Sequence, residues 1–95
     1  MPTHEQRLAR LESMLDVVER IRRANRDGDG YLATRLDERL DRLLAGSPEE
    51  LLKTRELADW RFSRERQHEG DALAGDALAE LKDAILALGP RPAMH

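Results

Sequence analysis

The stretch SPEELLKTRELADWRFSRERQHE, Ser47 to Glu69, decides how this chain is read. It holds the only Trp (Trp60) and the only Phe (Phe62). Its start carries a strong helix signal. Ser47 can cap through its hydroxyl, Pro48 suits the first helical position, and Glu50 can reach back to close a capping box. A helix is therefore expected from about Pro48 to Glu69. At roughly 100° per residue, Leu51, Ala58 and Phe62 share an arc of about 40°, whereas Trp60 falls about 160° from Phe62. One helix face cannot bury both aromatics. Either the helix is sandwiched between two surfaces, or one aromatic is left for a partner, or Trp60 lies half-covered under a loop or terminus.

Upstream, the pattern is a helical hairpin over residues 3–45. Thr3 and Gln6 form a plausible capping box for a helix running to about Ala24 or Asn25. Its apolar residues, Leu8, Leu11, Met14, Leu15, Val17, Val18, Ile21 and Ala24, cover roughly 200°, where a surface helix needs little more than 100°. An arc that wide suits a helix contacted from two sides, either by partners or inside a bundle. After a turn rich in Asp and Gly, a second helix is expected over about Tyr31–Ala45, with Leu32, Leu36, Leu40, Leu43 and Leu44 as its apolar stripe and Gly46 as its C-terminal cap. Downstream, Leu73, Ala77, Leu78, Leu81, Ala84, Ile85 and Leu88 fall within about 140° on a last helix over about residues 71–88. Gly70 is the expected break before it, favoured over one continuous rod, and Gly89-Pro90 is the expected stop. Residues 90–95 read as a disordered tail. The fold class is all-α: one domain, a bundle of three or four amphipathic helices.

Composition narrows the function. Ninety-five residues make one domain with a small core, and aromatics are 3% of the chain. Cysteine is absent, which excludes disulfides and thiolate metal sites. Small cores are often supplemented by association, and self-association or a partner is what remains. The formal net charge is −3, from 16 basic and 19 acidic residues, which disfavours general nucleic-acid affinity. No apolar run approaches the ~20 residues of a membrane span, and the first residues lack the apolar core of a signal peptide, so the expected compartment is the cytoplasm.

Three constellations could carry chemistry. Asn25, Asp27, Asp29 and Gly30 occupy positions 1, 3, 5 and 6 of a calcium loop, with Leu32 at the apolar position 8. To this extent the segment resembles an EF-hand, and the resemblance implies weak calcium binding through Asn25, Asp27 and Asp29. The bidentate carboxylate of position 12 is replaced by Leu36. A poorer echo starts at Glu65. Glu65 and His68 have the three-residue spacing used at carboxylate-bridged metal sites in helical bundles. Trp60 to Arg66 interleaves aromatics with arginines, as single-stranded nucleic-acid binders do, yet Glu65 can pair with Arg61 and Glu69 with Arg66.

No nucleophile–base pair, phosphate loop or HExxH motif is present. The expected function is non-enzymatic: a small accessory, adaptor or regulatory subunit that binds protein, as a homodimer or as part of a larger assembly, with no membrane or small-molecule substrate and no cofactor beyond weak calcium. The expected interface is Leu11, Met14, Val17, Val18 and Ile21 on the first helix, with Leu57 and Trp60 on the third. The alternatives are a calcium-binding helix–loop–helix module and a small nucleic-acid-binding regulator using residues 60–66.

Overall fold

The structure is a computed structural model that describes residues 2–89. It contains four helices, α1 (His4–Asp27), α2 (Gly30–Ala45), α3 (Leu52–Asp59) and α4 (Gln67–Leu88), with one 3-10 turn (Arg64–Arg66) before α4. Among the described residues there is no strand. The expected tail, residues 90–95 beginning at Pro90, lies outside them.

The helices alternate up and down in a rod of about 52 × 20 × 20 Å. The side-chain bonds fix the directions. Arg10, near the start of α1, donates to the Gly46 carbonyl just beyond α2. Asn25, near the end of α1, meets Gln67 at the start of α4. Glu80, in the second half of α4, meets the start of α3, and Trp60, just past α3, covers Gly70. α2 and α4 each pack on α1 and on α3, so they occupy opposite corners.

The wide apolar arc of α1 now has its explanation. Leu11, Met14, Val17, Val18, Ile21 and Ala24 are all buried within the one chain, between α2 on one side and α4 on the other. The hairpin forms as its residues dictate. The Thr3–Gln6 capping box is closed in both directions, at 3.1 and 2.9 Å. Gly28 terminates α1 at φ +73°, a left-handed conformation that suits glycine, and the Asp29 N–H donates back to the Ala24 carbonyl at 2.9 Å.

The third helix departs from expectation at both ends. It begins at Leu52, not Pro48. Ser47 and Glu50 do not form a capping box; the Ser47 hydroxyl donates to Glu49 at 2.7 Å, inside the loop. The cap comes from across the bundle. The Glu80 carboxylate accepts from the Lys53 N–H (2.8 Å), the Thr54 N–H (2.9 Å) and the buried Thr54 hydroxyl (2.9 Å). A carboxylate at a helix start satisfies orphan donors and suits the macrodipole.

The helix then ends at Trp60, which is extended (φ −73°, ψ 136°). The break lies at residues 60–63, ten residues before the expected one, and Gly70 and Gly75 are interior to α4. Breaking there resolves the conflict between the two aromatics. Trp60 lies on Gly70 and Phe62 on Gly30. A Cβ at Gly70 would stand 2.6 Å from Trp60 Cη2, and one at Gly30 would stand 2.7 Å from Phe62 Cδ1. Each glycine is thus a notch that seats one ring.

The apolar stripe of α2 is also rotated from expectation. Ala33, Leu36, Asp37, Leu40 and Leu44 are buried, while Leu32 is 44% exposed. Gly46 is not left-handed (φ −98°); its bare backbone makes room for the Arg10 guanidinium.

Candidate interaction surface

The residues singled out from the sequence are largely used up by the fold. Of the expected interface, Leu11, Met14, Val17, Val18, Ile21 and Leu57 lie inside the core, so they form no free face on this chain. Trp60 is half-buried against Gly70, with the Arg66 guanidinium 5.8 Å from the ring centre on its outer side. Its indole N–H is buried without a hydrogen bond of normal geometry.

The calcium-loop residues are separated by their roles. Asn25 is 1% exposed. Its side-chain amide donates to the Gln67 carbonyl at 2.6 Å, and its own carbonyl accepts from the Gln67 side chain at 2.7 Å, locking α1 to the start of α4. Asp29 caps α2, accepting from the Leu32 N–H at 3.0 Å. Asp27 is exposed at the end of α1. Glu65 and His68 are both exposed, Glu65 in the 3-10 turn and His68 in the first turn of α4. Among the described residues, no group of three or more His, Asp and Glu side chains is placed to hold a metal ion.

Two of the three arginines of the 60–66 stretch bond within the protein, while Arg64 is exposed. Arg66 makes a two-pronged ion pair with Glu69, whose carboxyl is thereby held below its usual range. Arg61 donates to the Ala58 carbonyl at 3.3 Å rather than pairing with Glu65. It faces Asp37, which is 4% exposed on α2; burial pushes that carboxyl up to about 7, against the pull of Arg61 and with the push of Asp41 and Glu38. Asp71 is the opposite case. Hydrogen bonds from Arg22 and then Arg26 hold its carboxyl down at about 2.

What remains unsatisfied is the solvent face of α2. Tyr31 is 75% exposed and Leu32 stands beside it. One helical turn on, Arg35 donates to the Tyr31 hydroxyl at 2.9 Å, with its guanidinium 5.8 Å from the ring centre. Arg39 and Arg42 continue the same face and, among the described residues, neither makes an ion pair or hydrogen bond. Beside this face runs an open groove of about 370 Å³ between α1 and α2, floored by Ala24 and Leu36 and walled by Asp16, Glu19, Arg20 and Arg23.

Protein-family models, curated proteins and solved structures were each compared with the chain, and none of the three comparisons gives a match. The surface therefore has to be judged on its chemistry. An exposed Tyr–Leu pair with three arginines along one helix, beside a groove walled by both signs of charge, is suited to another protein surface more than to a phosphate backbone. Sequence reasoning missed it because Leu32 counts as a core leucine in the stripe it shares with Leu36. The 3–4–3 spacing of Leu32, Arg35, Arg39 and Arg42 was the available signal.

Proposed function

We propose that this chain is a protein–protein interaction module, a small accessory subunit that binds through the solvent face of α2 and the adjoining α1–α2 groove. The observation that carries this reading is the pairing of Tyr31 and Leu32, large apolar side chains left in water at the start of a helix whose Leu36, Leu40 and Leu44 are buried. Isolated exposed apolar residues are ordinary; an aromatic and a leucine side by side with unpaired arginines along the same face match the make-up of an interface. Tyr and Arg are also the residue types that anchor interfaces most often. The buried apolar residues of α1 and α3 hold the bundle together, while Leu52 on α3 and Leu86 on α4 are exposed singly.

The test places a photo-cross-linking side chain at position 31 and, as a control, at the exposed position 55 on α3. The expected result is a discrete protein adduct from position 31 and none from position 55. Equal or absent adducts at both would remove α2 from the binding surface. The 25–36 loop and the 60–66 stretch support a second reading less, because Asn25, Asp29, Arg61 and Arg66 are engaged within the fold.

A further inference from the structure

The solvent faces of α2 and α4 carry matching patterns. On α2, Leu32, Arg35, Arg39 and Arg42 follow one another at steps of three, four and three residues. On α4, Leu86, Asp83, Ala79 and Asp76, read backwards, follow the same steps. All eight are exposed. Steps of three and four keep side chains on one helix face, the condition for a helix–helix seam. Asp76 and Asp83, like Arg39 and Arg42, make no ion pair or hydrogen bond among the described residues.

We propose that the occupant of the α2 face is α4 of a second copy of this chain, docked antiparallel so that Leu32 meets Leu86, Arg35 meets Asp83, Arg39 lies over Ala79 and Arg42 meets Asp76. Direction decides the register. The 3–4–3 steps match in either direction, but a parallel alignment sets Leu32 against Asp76 and Arg42 against Leu86. Antiparallel docking keeps the steps in phase over about 15 Å of helix. It also covers two exposed leucines with each other; Leu86 is 78% exposed on its own. The bulk is complementary as well, since Arg39 needs room and Ala79 gives it. Glu80, which neighbours the seam on α4, is already turned onto the start of α3.

The contact does not close on itself. α2 and α4 sit at opposite corners of the bundle, so a docked pair still presents a free α2 at one side and a free α4 at the other. A contact between different faces that does not close produces open rows rather than a dimer. Exposed ion pairs are individually weak and screened by salt, so the rows should grow with protein concentration and dissolve at high ionic strength.

This inference rests on the reading of α2 as the binding face, and the experiment separates the two. One variant reverses the α2 charges (Arg35→Glu with Arg42→Glu); the other reverses those of α4 (Asp76→Arg with Asp83→Arg). The changes are on exposed positions, and circular dichroism checks that each variant stays helical. Sedimentation at low salt should show wild-type rows, each variant alone as a monomer, and rows again on equimolar mixing, because the reversed α2 then meets the reversed α4. Rows that survive either reversal, or a mixture that stays monomeric, would overturn the register. A wild-type chain that is monomeric at every concentration would overturn self-pairing. In that case a cross-link from position 31 to a protein of different mass would still uphold the module reading, and its absence would end both.

Discussion

The two ends of this bundle are built differently. At one end, the α1–α2 turn, the 60–66 crossing and the start of α4 are joined by many contacts: the buried Asn25 with Gln67, Trp60 on Gly70, Phe62 on Gly30, and the part-exposed Arg22 and Arg26 with Asp71. At the other end, the 46–51 loop is held to α1 by fewer bonds, the part-buried Arg7–Glu49 pair and the exposed bond from Arg10 to the Gly46 carbonyl. The first end has a harder task. It must carry a non-helical segment with both large aromatics across two helix starts, and a segment without its own helical bonds needs fixed partners. Small residues and one buried amide supply them. The loop at the second end has only to reverse direction, so these two bonds and the buried Leu51 suffice.

That contrast sets an order of effects. Trp60→Ala should cost the most, about 3 kcal/mol in chemical denaturation, since it empties the Gly70 notch and uncovers Asn25. A cost near zero would mean the ring is a surface ornament. Gly70→Ala should come next. In an ordinary helix this change stabilises by roughly 1 kcal/mol, but here the new methyl meets Trp60 at 2.6 Å, and overpacking of this kind costs about 1–3 kcal/mol. The sharper form is a cycle: in a Trp60→Ala background the same Gly70→Ala change should cost clearly less, with Asn25 Oδ1 at 3.1 Å its remaining close neighbour. If the cost is the same in both backgrounds, Gly70 is not a seat for the ring.

The two perturbed aspartates give opposite pH responses. Asp71 has a folded-state pKa below its unfolded one, so its contribution is present above about pH 4 and is lost as pH falls toward about 2. Asp37 has a folded-state pKa above its unfolded one. The stability of its neutral form is complete below about pH 4 and is lost as pH rises through about 7. Asp37→Asn should therefore raise the melting temperature at pH 8 and change it little at pH 4, while Asp71→Asn should lower it at pH 7 and flatten its acid limb. A thermal melt series across pH reads both, and identical profiles for the two variants would contradict the burial difference between them. The smallest effect belongs to the open end: Arg7→Ala should cost only about 0.2–1 kcal/mol, shrinking with added salt. A larger loss would show that the two ends are equally bolted.

Much of this fold is legible in the sequence where the signals are local. The Thr3–Gln6 box, the Gly28 turn and the apolar spacing of α1 and α4 involve neighbours a few residues apart, and they form as read. The disagreement of about 160° between Trp60 and Phe62 is legible too, as a conflict. Its resolution is not, because the cap of α3 comes from Glu80, about thirty positions downstream, and only the packed bundle brings it there. Gly70 misleads for the same reason. Its missing side chain signals a break by propensity, yet the space is needed for a ring from another segment. Asn25 and Asp29 look like ligands because the same short polar side chains that coordinate cations also tie turns together. The exposed apolar pair on α2 was hidden by counting Leu32 with the core; a rotation of α2 that buries Asp37 leaves Leu32 at the solvent edge.

The most direct test of the account is the mass of the chain in solution, measured by light scattering over a range of concentrations at low and at high salt. If association runs through the charged face of α2 while the apolar faces are internal, the mass rises with concentration at low salt and falls to that of a folded, helical monomer at high salt. An oligomer that persists unchanged at high salt would show that the charge pairs of α2 do not hold it and contradict the account.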